Sequence, residues 1–178
     1  MGPEEMMNGL LGFVREHRVW AAPIVFVLAF CESLAFISLL VPAWGVLVGI
    51  GALVGNSDIS FWPVWIAGAT GAALGDWVSY WLGFTFKDRL AQMWPLSRYP
   101  QIMPRAEEFV KNWGVPSIFI GRFIGPLRAT VPLAAGIFEM DFWRFQLANV
   151  VSAFVWAAAL LLSGDAAAKM IGMVWKAV

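Results

Sequence analysis

Apolar residues fill the chain in four stretches, 19–54, 61–83, 114–137 and 141–163, separated by shorter polar segments. Residues 61–83 and 141–163 run uninterrupted, and a helix crosses a bilayer in about 20 residues. Both therefore read as spanning helices. The other two stretches are broken. Residues 19–54 are interrupted by Glu32, Pro42, Gly45, Gly49 and Gly51. As one helix they would run about 54 Å, more than one crossing and less than two. Residues 114–137 carry Pro116, Gly121, Gly125, Pro126 and Pro132. Broken backbone at membrane depth is tolerated only where protein buries it or water reaches it. The pattern predicts two re-entrant hairpins, one turning near Pro42 and one near Gly125-Pro126.

The polar segments predict the remaining elements. Residues 5–18 read as a short helix with Leu10, Leu11 and Val14 apolar and Glu16 and Arg18 polar. Residues 55–60 read as a turn, with Asn56, Ser57 or Asp58 capping the next helix. Residues 100–112 read as an amphipathic surface helix starting near Met103 or Pro104, with Phe109 and Trp113 turned to lipid. Glu139 and Asp141 flank a helix start and are expected to cap it. Residues 165–178 read as a short final helix. The organisation is an N-terminal amphipathic segment (1–18), a membrane domain (19–163) and a C-terminal short helix (164–178). Within the membrane domain the order broken, spanning, polar, broken, spanning is a weak internal repeat. It would be inverted if the hairpins enter from opposite faces. Interrupted segments at matching positions of two halves point to a transporter-like site. The fold class is thus all-α, polytopic and membrane-integral.

Composition agrees. Of 178 residues, 60% are hydrophobic and 13% charged, about half the charged share of a soluble domain; mean hydropathy is +0.72. Twelve basic and twelve acidic residues balance, which leaves no polybasic case for nucleic acid. Single Cys31 excludes an intramolecular disulfide framework. Trp20, Trp62, Trp81, Trp94, Trp113, Trp143 and Trp175 lie near segment ends, where an indole meets both lipid and water. The acidic start MGPEEMMNGL carries no signal-peptide pattern. Six basic residues on one side against four on the other leave the orientation open.

Four charges stand inside apolar segments: Glu32, Asp76, Arg122 and Arg128. A charge at the bilayer centre costs about 2.5–3.5 kcal/mol on insertion scales, so such residues face a bundle interior and find a partner. On a straight helix, Arg122 and Arg128 would lie on different faces; the Gly125-Pro126 break can bring both into one cavity. A guanidinium offers a planar fork suited to phosphate or carboxylate. Structural roles compete: carbonyl binding for the arginines, an ion pair for Glu32, an interhelical hydrogen bond for Asp76. Tyr80 is one turn beyond Asp76 on the same face and within reach of it. His17, beside Arg18, reads as solvated. No paired histidine, cysteine cluster or nucleophile–base constellation argues for a metal site or an enzyme.

The run 120-IGRFIGPLRATVPLAAGIFEM-140 resembles the DedA family, whose domain is also called the VTT or SNARE-associated Golgi domain. Gly75-Asp76 with Tyr80 and Gly83 resembles its G-D-x-x-x-Y-x-x-G stretch, and Glu32-Ser33 ahead of Pro42 resembles the acidic start of its first hairpin. The resemblance covers roughly residues 25–160. It implies re-entrant hairpins and membrane lipid transport supporting the envelope, in bacteria the return of undecaprenyl phosphate across the cytoplasmic membrane and proton-dependent transport. It carries over to Glu32, Asp76, Arg122 and Arg128 as substrate-binding residues. Tyr80, Gly125, Pro126, Pro132, Gly136 and Pro42 are supporting positions. The chain departs from the family at Pro42-Ala43-Trp44, where many members have an acid and this one has Trp44.

Taken together, residues and resemblance lead to a lipid translocator. It would flip an anionic phospholipid or polyprenyl phosphate in the bacterial cytoplasmic membrane, with protons as possible co-substrate and no cofactor. A homo-oligomer stays open. A proton-driven transporter of a small solute and a structural scaffold are the alternatives.

Overall fold

The computed structural model describes residues 5, 9, 12–14, 16–34, 44–56, 59–87, 102–124 and 127–177. Those residues are helical apart from turns and short connections, with no strand among them. A short 3-10 turn, Arg18–Trp20, leads into α1 (Ala21–Ser33). There follow α2 (Trp44–Asn56), α3 (Phe61–Phe86), α4 (Ile102–Trp113), α5 (Val115–Gly121), α6 (Leu127–Ile137) and α7 (Phe142–Ala177).

Both broken stretches divide in two. The first separates into α1 and α2, the second into α5 and α6. Local chemistry marks several ends. Gly114 closes α4 at φ +54, a left-handed conformation that suits glycine, and its N–H donates to the Val110 carbonyl at 2.8 Å. Pro116 sits in the first turn of α5, where a missing N–H costs nothing. Pro132 lies inside α6 and removes the N–H that would bond the Arg128 carbonyl. The expected turn residues Pro42, Gly125 and Pro126 lie outside the described residues.

Helix α3 is the axis of the molecule. Its small residues Gly68, Ala69, Ala72, Gly75 and Gly83 are buried. α1 runs parallel to its first half: Val25 meets Gly68, and Phe30 and Ser33 meet Gly75. A methyl group on Gly75 would come within 2.6 Å of the Phe30 carbonyl oxygen, so the close approach needs glycine there. α6 lies along the second half of α3, where Leu133 meets Gly83 and an exposed Lys87–Glu139 ion pair joins the helix ends. α7 runs antiparallel to α3. The Trp65 indole N–H donates to the Phe154 carbonyl at 2.9 Å, and Asn149 donates to Ala73 at 2.9 Å. α2 and α5 both pack on α7. In each broken pair, therefore, the first helix packs on the long helix of its own half and the second on that of the other half.

Two apolar clusters form the core. One gathers Val25, Ala29, Leu47, Ile50, Ala72, Ala153 and Trp156 among others. The second gathers Tyr80, Val110, Ile118, Val131, Ala134 and Phe145. Along α3 the first cluster ends at Ala72 and the second begins at Tyr80; along α7 the second includes Phe145 and the first resumes at Ala153. The outer faces are apolar as well: Ile66, Leu74, Trp77, Trp81 and Phe84 on α3, and Leu147, Val150, Val151, Val155 and Leu162 on α7, are exposed. So wide an apolar exterior suits lipid rather than water.

Several sequence expectations are corrected. Among the described residues, one helix is long and apolar enough to cross a membrane, over Phe142–Gly164. α3 is long enough, but its glycines, tryptophans and Asp76 lower its mean hydropathy. No separate helix begins near residue 164: α7 continues to Ala177, because Gly164 packs against α2 at Val48 and Ala52 instead of ending the helix. Glu139 caps nothing, since it takes φ +54 and pairs with Lys87. Asp141 does cap α7, accepting the Arg144 N–H at 2.9 Å. Ser60 holds the cap position of α3 without a side-chain bond; Asn56 ends α2, and Ser57 and Asp58 lie outside the described residues. Phe109 packs against the second cluster, while Trp113 is exposed as expected. Val14 is fully buried in the first cluster.

Candidate functional site

Between the two apolar clusters lies a polar band. α1 supplies Glu32 and Ser33, α3 supplies Asp76 and Ser79, and α7 supplies Asn149 and Ser152. The segment after α5 supplies Arg122, and the first turn of α6 supplies Arg128. All eight are buried. The positions follow from the packing just described. α1 ends and α6 begins beside the middle of α3, so one acid and one arginine are delivered to Asp76 from opposite directions.

The charges pair across elements. Arg122 Nη2 donates to Asp76 Oδ2 and, at 2.6 Å, to Asn149 Oδ1. Asn149 in turn donates through Nδ2 to the Ala73 carbonyl at 2.9 Å and to Gln146 Oε1 at 3.0 Å. One amide thus ties Arg122 to both long helices. Arg128 Nη1 donates to Glu32 Oε1 at 3.2 Å. Its guanidinium carbon stands 4.1 Å from the centre of the Trp156 ring, a cation–π contact. Ser79 Oγ donates to the Ser33 carbonyl at 3.2 Å and fastens α1 to α3.

The pairing leaves donors over. Nε and Nη1 of Arg122, and Nε and Nη2 of Arg128, are buried without a hydrogen-bond partner, as is Asp76 Oδ1. Native interiors rarely leave so many buried polar atoms unmet. The unmet ones here are mostly cationic donors, which fit an anion bearing several oxygens.

Glu32, Asp76, Arg122 and Arg128 are all brought into the band. The supporting residues differ. Tyr80 does not bond Asp76; its hydroxyl donates to the Met140 carbonyl at 2.6 Å, and its ring stacks on Phe145 at 4.4 Å. Its ring packs among the second cluster, which carries the hydroxyl away from the acid. Gly136 sits against the α3 backbone at Tyr80 and Phe84, and Pro132 is buried within α6. Sequence reasoning missed Asn149 and Trp156. Both carried a signal: Asn149 is a lone amide in an apolar spanning stretch, and Trp156 sits mid-stretch, away from the interfacial positions of other tryptophans.

A family model described as the VTT domain matches residues 41–166. The inner membrane protein YabI of Escherichia coli is 33% identical over 159 residues, covering 89% of this chain and 63% of that protein. A membrane protein of Buchnera aphidicola from Acyrthosiphon pisum is 30% identical over 159 residues, 89% of this chain and 62% of its own. A membrane protein of Synechocystis is 38% identical over 112 residues, 61% of this chain and 50% of its own. The chain therefore spans less than two thirds of the length of these relatives. No solved structure matches.

Proposed function

Because the chain belongs to the VTT-domain (DedA) family of membrane proteins, we propose that it moves an anionic lipid headgroup between the leaflets of the bacterial cytoplasmic membrane. The substrate class is an anionic phospholipid or a polyprenyl phosphate such as undecaprenyl phosphate. The observation that carries this reading is the set of four buried, unpartnered guanidinium nitrogens in a polar band between two apolar clusters.

In this reading α1–α2 and α5–α6 are re-entrant hairpins entering from opposite faces, related as an inverted repeat. Support comes from the packing: each pair lays its first helix on its own long helix and its second on the other. The band then lies near the bilayer midplane. Glu32 and Asp76 balance the arginines in the empty state. An incoming phosphate takes up the free donors and, at one arginine, replaces a carboxylate, so no buried charge stands uncompensated at any stage. A displaced carboxylate can take a proton, which would couple transport to the proton gradient.

The test is reconstitution. Proteoliposomes holding the wild-type protein should move headgroup-labelled phospholipid or polyprenyl phosphate between leaflets, and Arg128→Lys should lose this at unchanged abundance. No lipid movement by correctly inserted wild-type protein would refute the reading. Uptake of a soluble anion in its place would favour the small-solute transporter.

A further inference from the structure

The two arginines are not equivalent, and the difference lies in which nitrogens are engaged. A guanidinium can grip two oxygens at once along two edges: the side edge, formed by Nε–H and Nη2–H, and the end edge, formed by one hydrogen from each Nη. Both edges use Nη2. On Arg122 that nitrogen carries two hydrogens and has two acceptors, Asp76 Oδ2 and Asn149 Oδ1. Its remaining donors, Nε and Nη1, share no edge. Arg122 can add single hydrogen bonds but cannot offer a fork while its present partners stay.

Arg128 is held the other way round. Glu32 takes Nη1, leaving Nε and Nη2 without partners. The whole side edge is therefore open, on a residue only 9% exposed. The carbon of the same guanidinium stands over the Trp156 ring, 4.1 Å from its centre. The ring beneath the guanidinium carbon and the carboxylate on the far nitrogen hold the group in place. Neither contact occupies the edge.

We propose that Arg128 is the arginine that reads the anion, presenting Nε–H and Nη2–H to two oxygens of a phosphate, with Trp156 as its positioning residue. Arg122 stays bound to Asp76 and Asn149 throughout and acts as the fixed joint between α3, α7 and the α5–α6 segment. This rests on the headgroup reading above and divides its labour. It also names the carboxylate that leaves: Glu32 is displaced as phosphate oxygens approach Arg128, whereas Asp76 is not.

The inference is tested by titrating purified full-length protein in detergent with inorganic phosphate and, separately, with a short-chain phosphatidic acid, while melting is followed in parallel. Arg128→Lys should weaken binding about tenfold or more, the scale of one lost charge-assisted hydrogen bond, with melting near wild type. Arg122→Lys should lower the melting temperature and cost less affinity than Arg128→Lys does, since Arg122 adds at most single hydrogen bonds. Should Arg122→Lys fail to fold, Asn149→Ala loosens the same joint and should lower the melting temperature without the affinity loss of Arg128→Lys. Trp156→Phe should keep affinity and Trp156→Leu should weaken it about threefold or more. An Arg128→Lys effect with both probes marks the oxyanion itself as what is read; an effect with phosphatidic acid alone marks a lipid headgroup. Undiminished binding by Arg128→Lys, or an equal loss in Asn149→Ala at unchanged melting, would overturn the division. Equal affinities of the Phe and Leu variants would remove Trp156 from it. Wild-type protein that shows the fork signature yet moves no lipid would refute translocation and leave the fork standing.

Discussion

Gly136 on α6 faces the Tyr80 carbonyl on α3 with no room between them for a methyl group. The contact lets the two helices meet backbone to backbone, and it lies just beyond the charged band. Gly136→Ala should force the helices apart, at about 1–3 kcal/mol for overpacking a filled interior. Thermal unfolding in detergent reads the loss directly. Gly12→Ala is the control: a methyl group there meets nothing within 4 Å, and melting should hold or rise slightly, since alanine favours helix over glycine. Equal melting of Gly136→Ala and wild type would mean the approach is not as close as described.

Asp76 and Arg122 are both about 3% exposed. Removing one partner of a buried pair strands the other charge, which costs about 3–5 kcal/mol. Asp76→Asn and Arg122→Gln should each destabilise strongly. The double variant should cost much less than the two losses added together. Additive losses in a denaturant-based double-mutant cycle would show that the two residues are not energetically coupled.

Glu32→Gln should also lower the melting temperature, because Arg128 keeps Trp156 but loses its counter-charge. Here an added anion can take the empty place, and a ligand that binds only the folded state raises apparent stability. Phosphate should therefore restore much of the melting temperature of Glu32→Gln. It should restore less for Asp76→Asn, since the amide oxygen left at position 76 can still accept from Nη2 and keep both edges of Arg122 closed. Equal rescue of the two variants would contradict the asymmetry.

Tyr80→Phe removes one hydrogen bond, to the Met140 carbonyl, and leaves the ring stack on Phe145. The expected cost is about 1 kcal/mol, seen as a small drop in melting. Lipid transport should persist, because Tyr80 does not touch Asp76. A Tyr80→Phe protein that melts normally but fails to transport would place the hydroxyl in the transport cycle.

Much of the element order was legible from the chain alone. Each of the two broken stretches does divide into two helices, although Gly45, Gly49 and Gly51 lie inside α2 and Pro132 inside α6. The four buried charges were legible too, since a charge amid apolar neighbours stands out whatever the fold. Short-range rules failed where a contact from a distant helix intervened. Residues 165–178 read as a separate helix, yet α7 runs on through Gly164, where α2 packs against it. Phe109 reads as lipid-facing yet is covered by the second cluster.

What the sequence by itself determined, then, is the helical class, the two interruptions, and the presence of Glu32, Asp76, Arg122 and Arg128 within apolar segments, because local composition and burial cost are properties of the chain. Partnership was decided only by the tertiary structure. Glu32 finds Arg128 and Asp76 finds Arg122, though the sequence permits either exchange. Asn149 and Trp156 join from a helix far along the chain. The reason is physical: one helix ends at Gly121 and the next begins at Leu127, so helical phase does not carry from Arg122 to Arg128 and spacing no longer reports direction. Which acceptors each guanidinium meets then depends on where α1, α3 and α7 come to rest.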